Sequence, residues 1–180
     1  APTRELVSFA DPVFEREEAP ADARPGRHHR LRASAQEAAA VAKLLHAQPK
    51  DVYTRKRASK PNLYAAGLER ARYVLFATHG FAGADYAGGA EPALLLAQAS
   101  NQQAEDALLT MREVIGLNLR AELTVLSACS TAGRPARAEQ YGEGFAGLAR
   151  SFMYAGSRAV LVTHWSVFDT VARDFVAAGA

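Results

Sequence analysis

The chain has 180 residues, of which 49% are hydrophobic and 22% charged, with 13 Gly and 8 Pro. These proportions are ordinary for one globular domain, and they exclude a disordered, collagen-like or low-complexity chain. The formal net charge of +2 is too small to predict nucleic-acid binding, so we expect the basic clusters at 24–32 and 55–57 to be solvated surface.

Six short segments along the chain have the composition of β-strands. They are residues 5–10, 51–54, 72–80, 91–98, 122–130 and 157–165. The segments at 72–80, 122–130 and 157–165 are continuous apolar runs, which are typical of strands covered on both faces. We therefore expect them to lie in a parallel sheet, with 91–98 as a fourth strand.

Helical patterns lie between these strands. Ser34 and Glu37 have the spacing of a capping box, which predicts a helix that ends before Pro49. Its apolar stripe consists of Val41, Leu44 and Leu45. A second helix is predicted to start at Ser59 and Pro61 and to run through Leu63 and Leu68. A third is predicted at 105–117, with Leu108, Met111 and Ile115 on one face. Two further helices are predicted at 142–156 and 168–178. Alternating strands and helices predict an α/β domain with a mostly parallel sheet.

The three apolar strands end in chemically reactive side chains, His79, Cys129 and His164, and Cys129 is the only cysteine of the chain. The carboxyl ends of parallel strands meet at one edge, where α/β proteins build their sites. A neighbouring imidazole can take the proton of a thiol and later protonate a leaving amine. This pattern predicts acyl transfer with Cys129 as nucleophile and His79 as base.

A structural role for each of these residues stays open at this point. A single buried cysteine is commonly a small apolar filler, and a loop histidine commonly has its polar atoms bonded locally. The conjunction favours chemistry, because His79 and Cys129 both close an apolar strand and are followed by a glycine or a small-residue loop.

Acyl transfer also requires N–H groups that bind the negatively charged oxygen of the tetrahedral intermediate. Gly80 follows His79 directly, and without a Cβ its backbone N–H can approach a substrate closely. The second expected donor of this oxyanion hole is the backbone N–H of Cys129.

Four stretches carry the motifs: FATHG at 76–80, VLSACSTAG at 125–133, GEGFAGLARSFMYAGSRAVLVTHWSV at 142–167, and Asp169. In this order they resemble the CHAT domain, a bacterial member of the caspase and separase clan of cysteine peptidases, clan CD. The resemblance runs from FADPVF at 9–14 through Phe175 and so covers nearly the whole chain.

The resemblance implies a caspase-like three-layer sandwich, in which helices flank a mostly parallel sheet. It implies a dyad of His79 and Cys129, about 50 residues apart as in caspases, that cleaves a protein substrate with no metal or organic cofactor. CHAT domains commonly sit beside tetratricopeptide repeats, so we expect a regulatory partner or such a repeat module.

We expect residues 1–180 to form a single CHAT domain. The family usually continues with another helix and a final strand where this chain stops at VAAGA. The resemblance therefore implies either a fragment of a longer chain that lacks those two elements or a domain that is completed elsewhere.

Three residues are candidates for the substrate pocket: Ser127, Trp165 and Asp169. Metacaspases bind a basic P1 side chain with an Asp two residues before the catalytic Cys, and since Ser127 stands there, this motif predicts no Arg or Lys specificity. Asp169 is similar to an acid that separases associate with a basic P1 residue, and its alternative is a helix N-cap. Trp165 either walls the pocket or packs in the core. The resemblance gives His164 no catalytic role.

The single cysteine excludes an intramolecular disulfide, and the apolar runs of about five to seven residues are far shorter than a membrane span. We therefore expect a cytoplasmic domain that needs no membrane. The alternative function is a catalytically silent, caspase-like interaction domain. A nucleotide-binding domain is disfavoured, because the loop at 80–89 lacks both phosphate-binding patterns.

Overall fold

The computed structural model describes residues 2–14, 30–82, 91–98, 104–127 and 138–162. In chain order these form β1 (Arg4–Pro12), α1 (Arg32–Leu44), β2 (Val52–Arg55), α2 (Lys60–Ala65), β3 (Ala71–Ala77), β4 (Gly80–Ala82), β5 (Pro92–Leu95), β6 (Leu108–Thr110), α3 (Met111–Ile115), β7 (Leu123–Ser127), α4 (Ala138–Tyr154) and β8 (Val160–Val162). Short 3-10 helices lie at Pro49–Asp51, Leu68–Arg70 and Ala104–Ala107.

Five strands form one sheet in the order β2-β1-β3-β7-β8, and every neighbouring pair is parallel. The predicted mostly parallel sheet is confirmed. Ala10 of β1 pairs with Ala77 of β3, and Ala77 pairs with Ser127 of β7. The carboxyl ends of β3 and β7 are therefore level, and β1 continues two residues further at the same edge of the sheet.

The two faces of this sheet pack against different helices, because successive side chains of a strand point to opposite faces. Leu6, Ala10, Leu75 and Ala77 pack with Ala38 and Ala42 of α1. Val7, Phe9, Val74, Phe76 and Leu126 pack with side chains of α2, α3 and α4. A helix layer on each face gives the three-layer sandwich of a caspase-like fold.

A second sheet consists of β4, β5 and β6 and is antiparallel. The predicted strand at 91–98 exists over Pro92–Leu95, but it pairs in this small sheet and not in the parallel one. Its apolar residues Leu94 and Leu96 face the main core, while Ala93 and Leu95 pack with Phe81 in a separate cluster. The continuous apolar run thus reflects burial between two layers.

The predicted helix at 105–117 is wrong in its first half, since Leu108–Thr110 form strand β6 and the helix spans only Met111–Ile115. The helix begins there because Thr110 and Glu113 make a capping box. The Glu113 N–H donates to the Thr110 hydroxyl (3.3 Å), and the Thr110 N–H donates to the Glu113 carboxylate (2.9 Å).

The predicted capping box at Ser34 and Glu37 is also wrong. Helix α1 begins at Arg32 with Leu31 as its N-cap. The Ser34 hydroxyl donates to the Leu31 carbonyl (2.7 Å) and accepts the N–H of Asp11 (2.9 Å), so it ties the helix to the end of β1. The buried face contains Ser34, Glu37, Ala38 and Ala42, whereas Leu44 of the predicted stripe is 60% exposed.

Helix α4, predicted over 142–156, packs onto the main sheet through three buried side chains, Phe145, Leu148 and Phe152. The rings of Phe152 and Phe76 are 5.3 Å apart between centroids. A Cβ added at Gly147 would lie 3.3 Å from the sulfur of Met111, so this glycine lets α4 approach α3 closely.

The remaining predicted elements differ from the structure only in their ends or lie outside its described part. Ser59 is the N-cap of α2 and Pro61 is in its first turn, while Leu68 lies in the following 3-10 helix. The predicted helix at 168–178 lies outside the described residues. None of the helices in the described ranges is long and apolar enough to cross a lipid bilayer.

Candidate functional site

His79 lies two residues after the end of β3 and is buried, with 1% of its surface exposed. Its carbonyl accepts the N–H of Leu95 (2.9 Å), and the hydroxyl of Thr78 donates to the Leu95 carbonyl. The imidazole ring lies beside Phe14, with ring centroids 5.9 Å apart and planes inclined by 45°. Strand β5 therefore fixes the backbone of this histidine, and an aromatic ring packs against its side chain.

Gly80 begins β4 and stands opposite Leu94 of β5. In an antiparallel pair, opposite residues alternate between hydrogen-bonded and non-hydrogen-bonded positions. The Leu95 N–H binds the His79 carbonyl, so His79 and Leu95 are a hydrogen-bonded pair. The next pair, Gly80 and Leu94, is therefore non-hydrogen-bonded. The N–H of Gly80 therefore points away from β5, and the ladder between the two strands does not use it.

The strand beside β3 leads to the candidate nucleophile. Ser127, the last residue of β7, pairs with Ala77, the last residue of β3. Along the chain, His79 follows Ala77 by two residues and Cys129 follows Ser127 by two residues. The chain thus reaches both candidate residues from adjacent, level strand ends, although Cys129 itself lies outside the described residues.

Ser127 contacts a carboxylate of helix α1. Its hydroxyl donates to Oε2 of Glu37 at 3.3 Å, and 9% of the surface of Glu37 is exposed. Since α1 follows β1, its first turns lie over the carboxyl edge of the sheet. The row of small residues Ala10, Ala77 and Ser127 lies on the same face and lets the helix come close.

A second buried carboxylate at this edge belongs to Asp11, which is 3% exposed. Arg30 binds both carboxylate oxygens of Asp11. The Arg30 Nε donates to Oδ1 at 3.1 Å, and the Arg30 Nη2 donates to Oδ2. Paired donors of this kind satisfy a buried carboxylate well, and the N–H of Asp11 is held by Ser34. Asp11 is therefore already neutralised by a cation of the same chain.

Of the residues predicted for the site, the structure brings Ser127 to the carboxyl edge of the sheet and places His79 and Gly80 directly after β3. Cys129, His164, Trp165 and Asp169 lie outside the described residues, so their predicted roles stay predictions. The described stretches contain no cluster of three His, Cys, Asp or Glu side chains that could bind a metal ion.

The position of Glu37 beside Ser127 was not predicted from the sequence, because the spacing of Ser34 and Glu37 fits a capping box. A signal for it was present. Glu37 precedes Val41 of the predicted apolar stripe by four residues, and side chains four residues apart share one face of a helix. A carboxylate on that buried face indicates a polar contact within the fold.

A search of curated proteins found no significant match. The family model described as CHAT domain matches residues 1–178. This match spans nearly the whole chain, and the α/β sandwich with its parallel sheet agrees with it. The chain therefore belongs to the CHAT domain family.

Proposed function

We propose that this CHAT domain is a cysteine endopeptidase. The thiolate of Cys129 attacks the scissile carbonyl and His79 receives the thiol proton, while the N–H groups of Gly80 and Cys129 bind the oxyanion. The C–N bond then breaks, and the amine leaves with the proton that His79 returns. Water hydrolyses the thioester and releases the carboxylic acid, so that the free thiol is restored.

The observation that carries this proposal is the pairing of Ala77 with Ser127. Base and nucleophile must come within hydrogen-bond reach of each other, and two adjacent parallel strands that end level are a direct way to achieve it. Membership of the CHAT family, whose fold is that of caspases, supports the same assignment.

The surroundings of His79 and Gly80 also support the proposal. A base is effective when its ring is held in one orientation, and the Phe14 ring and the bond to Leu95 restrain His79. The Gly80 N–H is turned away from β5 and has no backbone acceptor within the described residues, which fits the proposed role of binding an incoming carbonyl oxygen. Trp165 and Asp169 keep their proposed place in the wall of the substrate pocket, and a regulatory partner or a repeat module would control access to it.

The test measures peptide cleavage in a proteome-derived peptide library, with the new N-termini identified by mass spectrometry. The wild-type chain should generate new termini, and Cys129→Ala and His79→Ala should each lower the cleavage rate at least about a thousandfold, because each removes one half of the dyad. Thermal unfolding must show that both variants remain folded.

The matched control is His46→Asn, which removes an exposed imidazole far along the chain from the site. His46 has a positive φ of 51°, and asparagine tolerates this conformation. We expect its cleavage rate to equal that of the wild type. Full activity of a folded Cys129→Ala variant would contradict the mechanism, and a folded wild type that cleaves nothing would favour the interaction domain.

A further inference from the structure

The end of β1 has an irregular backbone at the edge of the sheet that carries the site. In the pairing with β2, Ala10 and Pro12 stand opposite consecutive residues, so Asp11 between them is an extra residue that bulges out of the ladder. The φ of Asp11 is +46°, a left-handed conformation that aspartate adopts more easily than most residues. This conformation costs free energy and persists where the surrounding structure holds it.

Three hydrogen bonds to residues at the start of α1 hold this bulge. The Ser34 hydroxyl accepts the Asp11 N–H at 2.9 Å. Arg30, two residues before the helix, donates to both carboxylate oxygens of Asp11. Both side chains of this ion pair are mostly buried. Because a pair with two parallel donors has one preferred geometry, it fixes the backbone at Asp11 relative to α1.

Beyond the bulge, the chain passes from the main sheet to the second sheet. The Val13 carbonyl accepts the Gln98 N–H at 3.2 Å, just beyond β5. Phe14 then packs in the apolar cluster of the second sheet and lies beside the His79 imidazole. Three residues separate Asp11 from Phe14, so their Cα atoms are at most about 11 Å apart. A short stretch of chain therefore joins the ion pair to the ring contact.

The orientation of the His79 ring is what this stretch of chain affects. The bond to Leu95 holds the backbone of His79, whereas its side-chain torsions depend on what packs around the imidazole. The tilted Phe14 ring, with centroids 5.9 Å apart, is one such contact. A misplacement of about 1 Å in a catalytic group can lower a rate about a hundredfold. A support for this ring therefore bears directly on proton transfer.

We propose that the ion pair of Asp11 and Arg30 positions the His79 imidazole and acts through Phe14. The inference rests on the proposed peptidase function and adds how its base is held. The ion pair holds the bulge, the bulge places Phe14, and the Phe14 ring keeps the imidazole in the orientation that accepts the thiol proton. All three are positioning residues, because the proposal gives them no contact with the reacting atoms.

The first experiment measures kcat and KM of Arg30→Met on a peptide that the wild type cleaves. Methionine is apolar and has no donor for Asp11. We expect kcat to fall at least about tenfold and KM to change less than about twofold, because the base is misplaced while the substrate contacts remain. The double variant Asp11→Asn/Arg30→Met should be no slower than Arg30→Met, since both changes break the same pair.

The matched control is Arg4→Met, at the opposite end of β1. Arg4 pairs with Asp51, and their side chains are 20% and 4% exposed, against 17% and 4% for Arg30 and Asp11. This control should keep the wild-type kcat even where it lowers the unfolding temperature. A folded Arg30→Met variant with the wild-type kcat would overturn the inference, and so would an equal fall of kcat in Arg4→Met.

A second variant covers the case in which Arg30→Met does not fold, because an unpaired buried carboxylate is destabilising. Asp11→Asn removes the charge, keeps an oxygen for Arg30 and tolerates the positive φ. Its kcat should fall in the same direction by a smaller factor, again with little change in KM. A wild-type kcat in folded Asp11→Asn, when Arg30→Met does not fold, would count against the inference.

The second experiment separates positioning from catalysis. NMR records the ring-proton shifts of His79, which are assigned by their loss in His79→Ala. Phe14→Leu gives the size of the shift that the Phe14 ring causes. Arg30→Met, or Asp11→Asn in its place, should move the His79 signals toward that position, and Arg4→Met should leave them unchanged.

His79 signals that stay at the wild-type position in the ion-pair variants would overturn the inference whatever the cleavage assay shows. Shifted signals in a chain that cleaves no peptide would uphold the positioning of His79 and refute the peptidase function alone.

Discussion

At the scale of single residues, the connection after α4 depends on one backbone conformation. Gly156 has a φ of +112°, and an added Cβ would overlap the carbonyl oxygen of Leu119. The Leu119 N–H in turn binds the Ala155 carbonyl at 2.7 Å. This close approach joins the end of α4 to the segment before β7 and fixes where β8 begins.

We expect Gly156→Ala to lower the free energy of unfolding by about 2 kcal/mol or more, because alanine disfavours this φ and meets the Leu119 carbonyl. Urea unfolding of both proteins measures the difference. The control is Gly116→Ala, at a helix C-cap with an ordinary φ of −77°. Equal stability of the two variants would show that the backbone at Gly156 adapts freely.

At the scale of elements, the capping box decides where β6 ends and α3 begins. Glu113 also pairs with Lys60 of α2, with Nζ 2.6 Å from Oε1, so a single carboxylate joins two helices and a strand. Burial raises the pKa of Glu113, but the hydrogen bonds from Lys60 and from the Thr110 backbone outweigh it and hold the pKa below its ordinary value.

The lowered pKa predicts how the stability changes with pH. The unfolded chain binds the proton more tightly than the folded one, so the contribution of Glu113 is complete above the ordinary glutamate pKa and is lost as the pH falls through the lower folded value. The wild type should therefore exceed Glu113→Gln in free energy of unfolding by more at pH 7 than at pH 3. A difference that stays constant or grows on acidification would contradict this assignment.

The elements also show how far the sequence could predict the fold. The continuous apolar runs predicted β3, β7 and β8 as strands, but the expected burial on both faces holds only for the second half of β3, since β7 is half-buried on one face and Leu161 of β8 is 55% exposed. Leu108 and Met111 were assigned to one helix because their spacing fits a helical face, but Leu108 pairs with Leu95 in the second sheet. Tertiary pairing overrides local periodicity here, and only the capping residue Thr110 marks the true boundary.

At the scale of the whole molecule, the site is formed by residues that are far apart along the chain and meet at one edge of the sheet. His79 and Ser127 were predictable as members of one edge, because parallel strands end together. The contact between Ser127 and Glu37 was not predictable. The spacing of Glu37 and Val41 indicates a polar contact on the buried face of α1, but its partner depends on how α1 packs across the sheet. The parts of the site set by strand order were therefore accessible to sequence reasoning, and the part set by layer packing was not.

The central claim is that the fold brings an imidazole to the only thiol of the chain. The most direct measurement is the rate of iodoacetamide alkylation of Cys129 across pH in the folded wild type and in His79→Ala. We predict that the wild-type thiol reacts with a midpoint well below pH 8.5, the usual value of a free thiol, and that His79→Ala moves the midpoint toward it. Midpoints near pH 8.5 in both proteins would contradict the dyad.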